Sequence, residues 1–378
     1  MNGSAVRPPR VLHFVTGGFS GATQVAVDLV RAHRASGRFD PLLVLRRKRQ
    51  TDPARIAALR AEGLEVEVVP GWSHAATIFQ LVRQCRRFRP DLLVAHGFSE
   101  HLWGRYAGLL ARVPVLVHVE HNSRERYSWW RKVQMLWLAK RTQAIVGVSQ
   151  GVRGALLARG VEPARTLAIP NGVRLEAYAD ADQHPFAERQ PGIVMVARFS
   201  RQKDHASLLR ALALLRARGL RPPLLLAGGG KRSALLQAER LCRQLGLQDQ
   251  VRFLGSCSDV PGLLMAHQVC VLSTHYEGMP LALIEGMAAG CAVVASAVTG
   301  VEEVIEHQRN GLLVPEADPD ALADALQQLL ARPDHAAALA RQARADAVAH
   351  YGLPQMRARY EALFARLLQP AAPAEPKP

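Results

Sequence analysis

Apolar residues in this chain gather into short runs, separated by stretches whose apolar positions recur every three to four residues. A first series of runs is VLHFVT (11–16), PLLVL (41–45), LEVEVV (64–69), DLLVAH (91–96), VPVLVHV (113–119) and AIVGVS (144–149). A second series is GIVMVA (192–197), PLLLAG (223–228), VRFLG (251–255), QVCVLS (268–273) and CAVVAS (291–296). Runs of this length without polar alternation suit strands buried on both faces. Their alternation with helical stretches predicts α/β architecture with parallel sheets covered by helices. Between the two series lies LEAYADADQHPFAERQPG (175–192), which has no periodic apolar stripe and reads as a linker. The pattern therefore predicts two doubly wound, Rossmann-like domains, over 1–174 and 190–354, facing across a cleft. The Pro- and Ala-rich end, 371–378, reads as a disordered tail. The apolar run near the N-terminus is too short for a signal peptide, and the longest apolar region, 279–301, is broken by Glu285 and several glycines.

In open parallel sheets ligands sit beyond the carboxyl ends of the strands, so chemistry is sought on the loops that follow them. HYEGMPLALIEGMAAG (275–290) follows the run QVCVLS. Its Gly278 and Pro280 suit a turn into a helix, whose N-terminal N–H groups form a site for a diphosphate. Glu277 just before that helix and Glu285 inside it are acceptors for sugar hydroxyls on either side of the phosphates. The plainer alternative is one helix-start acid and one surface acid. VARFSRQKDHASLLRA (196–211) places Arg198 and Lys203 between a strand and a helix start. Cations there oppose the helix dipole and are structurally disfavoured, whereas they can neutralise a leaving diphosphate as a metal would. GGFSGATQVAVDLV (17–30) carries Gly17, Gly18 and Gly21 into another helix start, and GGG (228–230) follows PLLLA; both turns permit close backbone approach to phosphate.

Taken in order, these segments resemble the family 4 glycosyltransferases of the GT-B fold. The resemblance also rests on VHVEHN (117–122), VGVSQGV (146–152), IPNGV (169–173) and NGLLVPEADPDAL (310–322), and it covers nearly the whole chain. It implies a sugar-nucleotide donor (UDP-, GDP- or ADP-linked), no further cofactor and no metal, and transfer with retention of anomeric configuration by a front-face route. It also implies roles for single residues. Arg198 and Lys203 would grip the donor diphosphate, Glu277 the donor sugar and Glu285 the ribose. Gly278, Met279 and Leu281 would offer backbone N–H groups, and Gly17 and Gly18 would close over the phosphates. His121, a residue type more often structural, would contact the transferred sugar. A helix near 355–370 would rejoin the first domain. Departures from the family pattern are Ala197, Ala292 and Thr299, none of which removes a charge or a donor. Asp180 and Asp182 form an Asp-x-Asp pair, the metal signature of the other main glycosyltransferase fold; placed in the linker, it reads as coincidence. A sugar-nucleotide epimerase or phosphorylase on the same fold is the nearest alternative.

Charge adds a partner. The net charge is +16, and residues 1–170 hold 26 Lys and Arg against 11 Asp and Glu, a net of +15. Such asymmetry points to an anionic partner of the first half. No nucleic-acid-binding signature is present, which leaves a membrane surface. RERYSWWRKVQMLWLAKR (124–141) interleaves Trp129, Trp130 and Trp137 with six cations, as an interfacial helix does. The competing reading packs those tryptophans into the core. RQCRRFRP (83–90) adds a second basic cluster. The expected setting is the cytoplasmic face of a bacterial inner membrane, with a glycan or lipid-linked acceptor and a place in lipopolysaccharide, exopolysaccharide or glycolipid assembly. Five scattered cysteines without a CxxC pair fit a reducing compartment.

Overall fold

The computed structural model describes residues 7–49, 51–124 and 127–369. The tail expected over 371–378, and Glu125 and Arg126 of the basic segment, lie outside them. The chain divides into two compact units: residues up to Asn171 joined by those from Pro354, and Gly172–Leu353.

The sheet of the first unit contains β1 (Arg10–Thr16), β2 (Asp40–Arg46), β3 (Val66–Val69), β4 (Leu92–His96), β5 (Val115–Glu120), β6 (Ala144–Gly147) and β7 (Thr166–Ala168). All pairs are parallel, in the order β3-β2-β1-β4-β5-β6-β7. The second unit holds β8 (Gln190–Val196), β9 (Leu224–Ala227), β10 (Val251–Gly255), β11 (His267–Leu272), β12 (Ala292–Ser296) and β13 (Leu312–Val314), in the order β10-β9-β8-β11-β12-β13. Strand order reverses between β1 and β4 in the first sheet and between β8 and β11 in the second. Such switch points open a crevice at the carboxyl edge, which fixes where each unit can hold a ligand. Every apolar run of both series forms a strand; the three-residue strands β7 and β13 are additions.

Helices cover the sheets: α1 (Gly21–Ser36), α2 (Pro53–Ala61), α3 (His74–Phe88), α4 (Glu100–Leu110), α5 (Trp129–Ala139) and α6 (Gln150–Ala158) in the first unit. The second has α7 (His205–Ala217), α8 (Arg232–Gln244), α9 (Val260–Met265), α10 (Leu281–Ala288), α11 (Pro319–Ala331) and α12 (Pro333–His350). The closing helix α13 (Leu353–Leu368) returns to the first unit, where Glu361 pairs with Arg38 at 2.8 Å and Phe364 meets Phe39 edge-on.

The segment read as a linker is a packed part of the second unit. Leu175–Gln183 and Phe186–Glu188 are 3-10 turns, with Tyr178 and Ala181 buried. Arg189 donates to the carbonyls of Ala181, His184, Ala289 and Gly290, tying the segment to the end of α10. Asp182 takes two bonds of 2.9 Å from Arg344, so that carboxylate is engaged in a surface ion pair. The segment lacks a periodic stripe because arginine hydrogen bonds to backbone hold it, where an apolar helical face would otherwise be needed.

Candidate active site

In the second unit the chemistry gathers at the switch point. Arg198 follows β8 on a backbone held from both sides. The N–H of Ala197 donates to Ala227 O and that of Phe199 to Gly229 O. A Cβ on Gly228 would lie 2.1 Å from Ala197 O, and one on Gly230 2.4 Å from Phe199 O; both glycines also have positive φ. The GGG turn is thus explained by close approach to the Arg198 segment. The Arg198 side chain is exposed and makes no ion pair among the described residues.

The next turn is zipped to the loop after β11. Asp204 N–H donates to Ser273 O, His275 N–H to Gln202 O, and the Gln202 amide to Tyr276 O. Asp204 also caps α7 through Ser207 N–H. This zipper delivers Lys203 to Glu277, where ammonium and carboxylate form an ion pair with both side chains almost fully buried. Thr274 Oγ1 donates to the same carboxylate oxygen at 2.8 Å. Thr274 is a site residue that sequence reasoning missed; a lone Thr after a strand carries no signal of its own.

Glu277 leads into Gly278 and α10, whose N-cap is Pro280. Among the described residues the Gly278 N–H makes no hydrogen bond, whereas Leu281 N–H donates to Met279 O at 3.1 Å. Of the amides expected to face a ligand, that of Leu281 is engaged within the turn, because Pro280 bends the entry tightly. Glu285 is half-buried on α10, close enough to the buried Tyr178 and Cys270 to act on both electrostatically.

In the first unit Gly17 follows β1 and its N–H donates to Arg46 O at 2.8 Å; a Cβ there would meet that oxygen at the same distance. Gly18 N–H donates to Thr16 Oγ1, and Gly21 opens α1 behind the N-cap Ser20. Gly17 is thus required by the closeness of β2, and two amides expected to face phosphate have protein acceptors. His121 follows β5, and its ring lies beside Gly97, as does Ala22 of α1.

His121 ends a chain of three imidazoles. Its Nε2 is 3.3 Å from His96 Nδ1, and His96 Nε2 is 3.1 Å from His13 Nδ1. Burial pushes the pKa of His121 down to about 3 and those of His96 and His13 well below the usual value, so the chain is neutral and His121 is a hydrogen-bonding group without base strength.

A second network anchors the loop carrying His121. Arg105, fully buried, reaches His101 Nδ1 at 2.6 Å. Arginine only donates, so Nδ1 accepts and His101 Nε2 carries the proton. That N–H faces the Tyr127 hydroxyl at 2.8 Å, which in turn donates to Glu120 Oε2 at 3.3 Å. His101, His118 and Glu120 bring ligand-type atoms within 4.8 Å of one another. The direction of the network deprives His101 of a lone pair there, so the trio does not fit a metal ion. Burial raises the pKa of Glu120 to about 7, despite Arg159 and the donors around it.

Comparison with known proteins bears on the family and the fold. Residues 178–346 match the family described as "Glycosyl transferases group 1" and residues 19–177 match "Glycosyltransferase Family 4". EpsF of Bacillus subtilis (strain 168), itself assigned as a glycosyltransferase, is 30% identical over 309 residues, covering 76% of this chain and 79% of the relative. The chain belongs to glycosyltransferase family 4. The Escherichia coli UDP-Gal:alpha-D-GlcNAc-diphosphoundecaprenol alpha-1,3-galactosyltransferase is 26% identical over 267 residues, 66% of this chain and 69% of its own. The Anabaena protein Alr3699/HepE, solved with UDP-glucose, superposes with a TM-score of 0.82 at 22% identity over 94% of this chain and 99% of its own. That likeness establishes the GT-B fold of this family 4 glycosyltransferase, two Rossmann-like units with parallel sheets.

Proposed function

We propose that this glycosyltransferase moves a sugar, with retention and without a metal, from a nucleoside diphosphate to a lipid-linked glycan in cell-surface polysaccharide, lipopolysaccharide or glycolipid assembly. The observation that carries the reading is the buried Lys203–Glu277 pair, braced by Thr274 at the head of α10, with exposed Arg198 on the neighbouring loop. Lys203 and Arg198 supply the charge that a leaving diphosphate needs, the part a metal plays elsewhere. Glu277 exchanges its lysine for hydroxyls of the donor sugar when the diphosphate takes the ammonium. Glu285 receives the ribose, and His121, neutral, hydrogen-bonds the sugar being transferred. In the front-face route the leaving phosphate oxygen takes the acceptor proton, so no side chain has to act as nucleophile. The E. coli relative named for a UDP-galactose donor and a diphosphoundecaprenol acceptor, and the Anabaena protein crystallised with UDP-glucose, support a nucleotide-sugar donor and a lipid-linked acceptor.

Thermal unfolding with UDP, GDP, ADP and their sugars in EDTA tests the donor site. A nucleotide at about 100 times its dissociation constant stabilises the native state by about 2.7 kcal/mol. One nucleotide is expected to stand out, and to lose its effect in Arg198→Ala and Glu285→Ala. No response to any nucleotide, or an absolute need for a divalent ion, would overturn the reading.

The lipid-linked acceptor entails contact with an anionic membrane, the inner membrane in a bacterium, and α5 offers the surface. Its buried side holds Met135, Leu138 and Ala139, while Trp129, Trp130 and Trp137 are 76%, 60% and 43% exposed, with Arg141 stacked on Trp137 at 3.8 Å. The tryptophans therefore do not pack into the core. Among the described residues no helix is long and apolar enough to cross a membrane. Flotation with anionic vesicles at low salt is expected to carry the protein up. Trp129→Ser with Trp130→Ser should weaken that binding about tenfold, given the interfacial role of Trp. Wild-type protein left at the bottom of the gradient would refute the contact.

A further inference from the structure

The carboxyl edge of the first sheet carries a second built surface beyond the Gly17 turn. β2 ends in Arg46, and Arg47, Lys48 and Arg49 follow, four cations in succession. Arg46 is buried and structural: it reaches Glu100 at 3.3 Å, His74 Nδ1 at 3.1 Å and Gly71 O at 3.4 Å. Lys48 shares Glu100 at 2.6 Å. Arg47 and Arg49 are exposed and make no ion pair among the described residues. Glu100 thus takes up Arg46 and Lys48, and the exposed Arg47 and Arg49 are left to meet an anion.

The loop after β3 is pressed onto these cations. A Cβ on Gly71 would come 1.7 Å from Arg47 O, so only glycine lets the two loops touch. Immediately beyond, Pro70, Trp72, Ala75, Ala76 and Phe79 line a hollow of about 530 Å³ at the start of α3. Trp72 is 83% and Phe79 61% exposed, large apolar side chains left to water beside a polybasic loop. Burial and the neighbouring Arg46, Arg131 and Lys48 hold His74 at the rim below the usual imidazole range, which keeps it from adding charge. β3, β2 and β1 are adjacent, so cations and hollow form one tract leading away from the Gly17 turn.

We propose that this tract binds the lipid end of the acceptor: an isoprenoid chain in the hollow, and its diphosphate on Arg47, Lys48 and Arg49. An apolar concavity beside a dense cation cluster complements a molecule that is anionic at one point and apolar beyond it. A free phosphate would not use Trp72 and Phe79, and a bilayer surface would not need a hollow. The inference rests on the lipid-linked acceptor proposed above and assigns it a place.

The test is calorimetric titration of the full chain, in EDTA and with UDP saturating the donor site, with farnesyl diphosphate and with inorganic pyrophosphate. Farnesyl diphosphate is expected to bind at least tenfold more tightly than pyrophosphate. Trp72→Ser and Phe79→Ser should abolish that advantage while leaving pyrophosphate and UDP binding unchanged. Arg47→Ala with Arg49→Ala should weaken both diphosphates. Equal affinity for the two probes, or full farnesyl diphosphate affinity in Phe79→Ser or in Arg47→Ala with Arg49→Ala, would overturn the assignment. So would a Phe79→Ser protein that loses only its binding to anionic vesicles free of isoprenoid. Failure of UDP to bind wild-type protein would instead remove the donor site and leave the tract standing.

Discussion

Lys203→Met is expected to lower the rate of sugar transfer by about 10² to 10³, the range found when one preorganised group that meets developing charge is removed. The same substitution leaves Glu277 buried with Thr274 as the remaining partner described above. Breaking a buried pair from one side costs about 3–5 kcal/mol, so the second unit should also unfold earlier. The double variant Lys203→Met with Glu277→Gln separates the two effects. Removing both charges should restore much of the stability, seen in thermal unfolding, while transfer stays low. Recovery of transfer in the double variant would show that Lys203 serves only to hold Glu277 and does not meet the diphosphate.

The second large effect is acid lability of the first unit. His13, His96, His101 and His118 are held well below the usual value, His33 is lowered to about 4 and His121 to about 3, in each case chiefly by burial. For a base whose folded pKa is depressed, the unfolded chain binds more protons below its own pKa of 6.5. Stability is therefore full above about pH 6.5 and falls as pH drops through the window down to the folded value. A single group moved from 6.5 to 4, such as His33, forfeits up to about 3 kcal/mol in this way. Glu120 works in the opposite direction. Its folded pKa is raised from 4.5 to about 7, so its contribution is full below 4.5 and fades as pH rises to 7. One carboxyl is set against six imidazoles, and the imidazoles prevail. Melting followed by near-ultraviolet circular dichroism should show the midpoint falling between pH 6.5 and 4.5. His33→Phe should flatten the fall, since among the described residues neither ring nitrogen of His33 has a hydrogen-bond partner to lose. A midpoint that holds or rises on acidification would sink the argument.

Strands were legible in the sequence because a strand buried on both faces is an unbroken apolar run, as PLLVL and CAVVAS are. The three-residue strands Thr166–Ala168 and Leu312–Val314 are too short to stand out from their loops. Glu277, Arg198 and Lys203 were legible as charged residues placed against a helix dipole or at a strand end. Their union was not, because Lys203 and Glu277 are 74 positions apart and meet only through the backbone zipper between two loops. The histidine chain was hidden for a related reason. Each member is a single polar residue in or after an apolar strand, and only the pairing of β1, β4 and β5 brings them side by side. The glycines carry a second signal. Gly17, Gly228 and Gly230 suggested phosphate, and each is also required where one backbone crosses close to another.

The return of α13 has a consequence for how the molecule is made. The unit that contains the first residues described also contains the last helix, whose Phe364 packs among His13, His33 and Phe39. Synthesis from the N-terminus therefore finishes the whole of Gly172–Leu353 while the half begun first still lacks a wall of its core. A chain stopped at Leu353 would carry an intact second unit on an open, histidine-lined first unit. Of the two units, the one begun second is the one finished first.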